Sequence, residues 1–528
     1  MRRVLLALLC AVVGPGTVAA CSAGSSDRPA IAVIDTRLAP APSTTSTGKP
    51  PLPALQAPVA ELAWTDCTRS TIAKLGLGPS PAGVVLECAT LPAPLDPKLP
   101  GKVSLGLLRA RIASTPRDAG PVVLTTGAEQ PSTTALAALA VSGGTEMLAS
   151  RPLVAVDRRG LGSSAPVSCL KPDQRAAIES VDPSAPAPVD PLAAALQLGR
   201  DATQACTDVI TPAELGYDTT HAAADLEALR GAWKVDRLAL VGLGDGAAVA
   251  LRYAVAHPKQ LARLVLDSPA VPGADEVSLA KNEATGAEAA FAAFTVRCTA
   301  TACPVGPDPR RTVADLMQAA RTPAGLPAAG GRRISAGAIL QAVRQALRTP
   351  EGVGALGPAL AAAGAGDAGA LLAFLDQSAG RPVPANPGTQ LDAEFVARCS
   401  GAALRPTPEQ VSTLVAQWRK DFPLFGADTA ARLLLCLSWP TPATAAPVRQ
   451  LDAVPAALVL SATADPVVGS AGAQATVTDL QQAGTDGSVL SWQGAGHPVF
   501  LSSGCARAAV SAYIADGSRP QRGTICPP

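Results

Sequence analysis

Net charge is almost absent: 43 lysines and arginines face 42 aspartates and glutamates, leaving +1 over 528 residues. A chain so balanced offers no basic face to nucleic acid, and no nucleic-acid partner is expected. Aromatic residues make up only 3%, and there are three histidines. Lysine is scarce too, while alanine, glycine, proline and arginine abound. That bias is the imprint of a GC-rich genome and carries no fold signal. The cysteines include no C-x-x-C pair of the kind that holds zinc or cycles electrons, so no metal and no cofactor is expected. What is present is apolar mass, 48% of the chain, ample for a buried core. The length fits one large domain with an insertion, or two to three smaller ones.

The N-terminus reads as an address. Arg2 and Arg3 precede "VLLALLCAVVG", an apolar run too short to serve comfortably as a spanning helix. Val18-Ala19-Ala20-Cys21 then resembles a bacterial lipobox, which predicts a lipoprotein signal peptide over 1–20 and an acylated Cys21. Lipid on Cys21 would anchor the chain to the outer face of the cytoplasmic membrane without spanning it. Residues 21–60, with "APAPSTTSTGKPPLPALQAP" at 39–58, read as a tether rich in Pro, Ser and Thr.

Cys10 lies in the signal and Cys21 at the lipid site, which leaves ten cysteines. An oxidising compartment favours their pairing as disulfides. Connectivity is not fixed by sequence. Pairing of neighbours is the simplest scheme, since each pair brackets one local segment: Cys67–Cys88, Cys169–Cys206, Cys298–Cys303, Cys399–Cys436 and Cys505–Cys526.

Short apolar runs alternate with helical patterns through the middle of the chain, the signature of a largely parallel α/β sheet. "GPVVLTTG" (120–127), "RPLVAVDRRG" (151–160), "DRLALVG" (236–242) and "LARLVLDSP" (261–269) read as strands. "TTHAAADLEALRGAW" (219–233) reads as a helix with Thr219 or Thr220 as N-cap. Between strand and helix lies Gly242-Leu243-Gly244-Asp245-Gly246. This has the form of the nucleophile elbow G-x-S-x-G, with Gly244 in the serine's place.

"WTDC", "LECATLPAPLD", "VAVDRRGLGSSAPVSC", "GYDTTHAAADLEALR", the elbow, "LVLDS" and "GSRPQRGTIC" follow one another in an order that resembles the secreted tripeptidyl aminopeptidase-like branch of the α/β-hydrolases. "VAVDRRGLGSSAPVSC" carries the D-x-R-G-x-G-x-S signature at Asp157, Arg159, Gly160, Gly162 and Ser164. The resemblance runs from about Trp64 to Cys526. It implies an α/β-hydrolase fold, a mostly parallel central sheet flanked by helices, with core segments 61–269 and 440–528 and a mostly helical cap over 270–439. It also implies Asp465 as the family's acid and His497 as its histidine, the pair that would deprotonate a nucleophile at 244. His221 and His257 are expected to be structural.

Two departures stand against acyl transfer. Gly244 has no side chain to attack with. The strand ending at Leu124 should lead into a glycine-rich oxyanion loop, but here runs Thr125-Thr126-Gly127-Ala128-Glu129-Gln130-Pro131. Thr126, Gly127 and Ala128 occupy the donor positions, and a carboxylate at Glu129 would repel a developing oxyanion. Asp245 either lends its backbone N–H to the oxyanion hole and starts the helix, or acts as a shifted nucleophile. Two functions are therefore carried forward. One is a surface lipoprotein without serine-triad activity that binds a peptide or small molecule beneath its cap. The other is an exported peptidase or esterase working through Asp245 or activated water. By the same resemblance, Glu276, Glu283 and Glu288 at the start of the cap could meet a substrate's amino group.

Overall fold

The computed structural model describes residues 52–528 apart from 82, 187, 323–324, 379–388, 402–403, 442–450 and 452–453. The signal peptide, Cys21 and most of the tether lie outside the described residues. No described helix is long and apolar enough to cross a membrane.

Twelve strands are described, in chain order Thr65–Asp66 (β1), Val84–Asp96 (β2), Leu99–Ile112 (β3), Val122–Thr125 (β4), Leu153–Val156 (β5), Leu238–Leu243 (β6), Leu261–Asp267 (β7), Leu326–Pro327 (β8), Arg333–Ile334 (β9), Ala457–Ala464 (β10), Gly487–Ala495 (β11) and Ile525–Cys526 (β12). Ten of them form one sheet in the order β1-β2-β3-β5-β4-β6-β7-β10-β11-β12, and β8 and β9 pair separately. The β1 to β3 end is antiparallel, and every pairing from β5 to β12 is parallel. This is the α/β-hydrolase fold expected from the sequence.

The central strands are short apolar runs because both faces of the sheet are covered. Alternate residues feed opposite cores. Val123, Leu240 and Val459 pack with Leu226, Trp233 and Tyr253 on one face. Leu124, Val241 and Leu458 pack with Leu136, Phe500 and Ile514 on the other. The helix Thr219–Trp233 has the expected span, but its N-cap is Asp218, whose carboxylate accepts the His221 N–H at 2.8 Å. Thr219 and Thr220 lie inside the first turn. An aspartate one residue earlier offers a charged acceptor to the helix's unpaired donors, and it outcompetes a threonine hydroxyl.

Between β7 and β10 the chain is predominantly helical. Asp275, Asp308, Ser335, Thr349 and Thr407 each cap a helix by accepting the N–H three residues on, so local sequence alone starts these helices. Pro172–Glu179 and Pro191–Ile210 join this layer from outside 270–439: Ile178, Ala195, Ala202 and Cys206 share a core with Val396, Cys399, Trp418 and Leu434. The five neighbour disulfides are all formed, with Cα separations between 4.7 and 5.8 Å. Each closes a local loop and stabilises by about 2–4 kcal/mol in the chain-entropy picture.

Candidate functional site

Loops at the carboxyl ends of β4, β6, β10 and β11 converge on one point, where open α/β sheets bind their ligands. At the end of β6 the chain turns sharply at Gly244, with φ 58° and ψ −124°, and enters the helix Asp245–Ala256. Glycine adopts that positive φ without strain. The flanking glycines are needed for space. A Cβ at Gly242 would collide with the Gly246 carbonyl, and one at Gly246 would collide with the Thr125 carbonyl.

Asp465 follows β10 and His497 follows β11. Asp465 Oδ1 accepts the N–H groups of Val467 and Val468, and Oδ2 lies 2.8 Å from His497 Nδ1. The side chain of His497 is fully buried. Its loop is fixed by Asp267, a buried residue at the end of β7 that accepts the N–H groups of Val499 and Phe500 at 3.1 and 2.6 Å. Burial pushes the Asp267 carboxyl up to about 6. Sequence reading passed over this role, because nothing in "LVLDS" distinguishes a loop-pinning aspartate from a strand-end turn.

The space beyond His497 is filled by Glu129. Its Oε1 accepts the Asp245 N–H at 2.8 Å and faces His497 Nε2 at 3.1 Å; its Oε2 faces the same nitrogen at 2.9 Å and accepts Arg348 Nη2 at 2.8 Å. A Cβ built on Gly244 would lie 2.5 Å from both Glu129 Oε1 and His497 Nε2. Glu129 thus occupies the volume of the missing side chain, whereas the sequence suggested only a repulsive neighbour. Arg348, between two cap helices, also went unnoticed in the sequence. Its carbonyl accepts the His497 N–H at 2.8 Å, so one cap residue clamps both partners.

Burial opposes charge on His497, yet the Asp465 and Glu129 carboxylates more than offset it and hold the imidazole up at about 10. Burial likewise opposes charge on Glu129, but His497, Arg348 and the Asp245 N–H bring its carboxyl down to about 2. The imidazole is thus a cation between two carboxylates.

The expected oxyanion donors Thr126, Gly127 and Ala128 are all occupied by side chains. Their N–H groups go to Ser132 Oγ at 3.1 Å, Thr125 Oγ1 at 3.4 Å and Asp245 Oδ2 at 2.8 Å. With no run of glycines after β4, these donors are spent on the Ser132 and Thr125 hydroxyls and on the Asp245 carboxylate. Asp245 sits in the first turn of its helix. Its carboxylate is taken by Ala128 and by Arg158 Nη1 at 2.7 Å, which turns it away from Gly244. The D-x-R-G-x-G-x-S signature serves the scaffold. Asp157 accepts Thr133 and Ser163 N–H groups, Arg159 pairs with Asp225, and Ser164 bridges the Asp157 carbonyl and the Gly106 N–H.

The three cap glutamates separate in role. Glu288 binds Arg310 and the N–H groups of Leu424 and Phe425, a structural use. Glu283 pairs with Arg344 at 3.1 Å and Arg398 at 3.8 Å. Burial raises the Glu276 carboxyl against the pull of Arg398 and Arg405. Deeper in, burial lifts Glu394 to about 7, while Gln390 Nε2 bridges it to the Glu129 carbonyl at 2.9 and 2.8 Å. His221 joins Asp218 and Asp96, and His257 packs on Tyr253, both far from the elbow in role. Among the described residues no group of three His, Cys, Asp or Glu side chains is placed to hold a metal ion.

Residues 422–526 match the family model described as TAP-like protein. The chain is 26% identical over 257 residues to the serine protease Hip1 of Mycobacterium tuberculosis, covering 47% of this chain and 48% of that protein. It therefore spans about half the length of the mycobacterial relative it matches. It is also 28% identical over 124 residues to the tripeptidyl aminopeptidase of Streptomyces lividans, covering 24% and 23% of the two chains. Among solved structures, a hydrolase from Pseudomonas aeruginosa superposes with a TM-score of 0.34 at 13% identity, covering 78% of this chain and 95% of that one. The matched C-terminal segment carries both Asp465 and His497, so the likeness to TAP-like proteins covers the acid and histidine end of the site.

Proposed function

We propose that this chain is an exported, lipid-anchored protein of hydrolase fold that performs no serine-triad acyl transfer and instead holds a peptide or small molecule beneath its cap. The observation that carries this reading is the Glu129 carboxylate, seated where a nucleophile's side chain would be and accepting hydrogen bonds from His497, Arg348 and the elbow N–H. Loss of a triad serine costs about 10⁶ in rate, or roughly 8 kcal/mol of barrier. The usual residue of activity comes from the oxyanion hole and binding. Here the Asp245 N–H is occupied by Glu129, and the loop donors are taken by Ser132, Thr125 and the Asp245 carboxylate. A histidine that already carries its proton has no capacity left as a general base. The peptide class of ligand rests on the names of the relatives, a protease and an aminopeptidase. Export rests on the N-terminal motif and on five disulfides, which persist in oxidising compartments.

The test is exposure of the purified protein to a fluorophosphonate probe, p-nitrophenyl esters and aminoacyl peptides. No labelling and no turnover above background are expected. Brisk turnover that disappears in His497→Ala would overturn the reading. Mass analysis of the mature N-terminus checks for acylated Cys21.

A further inference from the structure

Three donors converge on Glu129 from three separate parts of the chain: the Asp245 N–H from the elbow, His497 Nε2 from the loop after β11, and Arg348 Nη2 from the cap. Together they serve both carboxylate oxygens. Oε1 meets the elbow N–H and the imidazole, and Oε2 meets the imidazole and the guanidinium. A neutral amide or ester carbonyl has one oxygen and cannot use this set, whereas a carboxylate uses all of it. The imidazole thus bridges the two oxygens, with the elbow N–H on one and the guanidinium on the other.

We infer that the cradle of Asp245 N–H, His497 and Arg348 is a carboxylate-binding site, occupied from within the chain by Glu129, and that a ligand bearing a free carboxylate competes with Glu129 for it. The inference deepens the proposed ligand-binding reading and takes its setting from it. The cradle is reachable from solvent past Glu129 and Arg348. The Glu129 and Arg348 side chains are 15% and 21% exposed, while His497 beneath them is fully buried. Exchange is exclusive, one carboxylate at a time. A ligand carboxylate and Glu129 would need the same three donors, the Asp245 N–H, His497 and Arg348. The internal ligand can leave because only its carboxylate and its carbonyl, held by Gln390, bind it to the cap and the elbow. Gly244 contributes by leaving the volume empty of a side chain.

The experiment measures binding of acetate, octanoate, a tripeptide with a free C-terminus and the same tripeptide as its amide. It uses the full mature chain, with calorimetry and the His497 imidazole ¹⁵N shift as readouts. A tethered competitor acts at an effective concentration in the millimolar range or above, so its removal in Glu129→Ala is expected to tighten acetate binding by about tenfold or more. Adding Arg348→Met to Glu129→Ala should abolish the gain. The free-acid tripeptide should bind and its amide should not. Preference for tripeptide over octanoate assigns the carboxylate to peptides, and the reverse preference assigns it to lipid-derived acids; both support the cradle. If Glu129→Ala folds poorly, the wild type keeps the test sharp, because the free acid but not the amide should shift its His497 resonance. Equal acetate affinity in wild type and Glu129→Ala, or equal binding of acid and amide, would overturn the inference. Probe labelling of the wild type would instead refute the silent-site reading and leave the cradle standing.

Discussion

Replacing Glu129 with glutamine keeps its shape and removes its charge, which isolates the electrostatic worth of the filled elbow. In the folded protein the Glu129 carboxyl lies at about 2, against 4.5 for a free side chain. At 1.36 kcal/mol per unit, the ionised form is favoured by about 3 kcal/mol over the neutral one. Glutamine mimics the neutral form: its oxygen can accept from only part of the donor set, and its NH₂ faces one of the groups that now serve the carboxylate. Glu129→Gln should therefore lower stability by about 3 kcal/mol near neutral pH, measured by guanidinium denaturation with the disulfides intact. The sign with pH follows from the depressed carboxyl. Its contribution is present above 4.5 and is lost as pH falls through about 2, so the two proteins should converge over that window. On the basic side the same pair appears through His497, raised from 6.5 to about 10. That contribution is complete below 6.5 and disappears as pH rises through about 10; Asp465 supplies the larger share of it and Glu129 the rest, and the Glu129 share is the coupling already counted above. With only three histidines in the chain, the His497 resonance is readily resolved and should remain that of an imidazolium well above neutrality. An unchanged unfolding free energy near neutral pH, or titration of wild-type His497 near 6.5, would refute the reasoning.

Gly244→Ser alone should remain unlabelled by fluorophosphonate, because its Cβ would stand 2.5 Å from Glu129 Oε1 and from His497 Nε2. Adding Glu129→Gly should permit labelling, and strong labelling of the single variant would show that the plug yields easily. Asp245→Asn should cost about 2 kcal/mol by leaving the buried Arg158 guanidinium short of its counter-charge, with no change in turnover; loss of a measurable turnover would instead mark Asp245 as a nucleophile. Arg159→Met strands Asp225 in the core and should destabilise by about 3–5 kcal/mol, read as a lowered denaturation midpoint; an unchanged midpoint would remove the signature from the scaffold.

Features that depend on neighbours along the chain were legible in the sequence. The strands β4, β5, β6 and β7 announce themselves as short apolar runs, since parallel strands covered on both faces need no polar alternation. The helix Thr219–Trp233 and the elbow between β6 and its helix follow from periodicity and glycine spacing, and each disulfide joins adjacent cysteines because it closes a local loop. Capping shows the limit of this local reading, for the carboxylate of Asp218 took the position expected of a threonine. The identity of what fills the elbow is a different kind of fact. Glu129 meets the Asp245 N–H across 116 residues, Arg348 across 219 and His497 across 368. From sequence, a glutamate after β4 reads as a repulsive intruder, because its counter-charges lie on distant segments. Only the folded chain brings a cap arginine and a buried imidazole to it, and burial in that company turns a misplaced acid into the residue that closes the site.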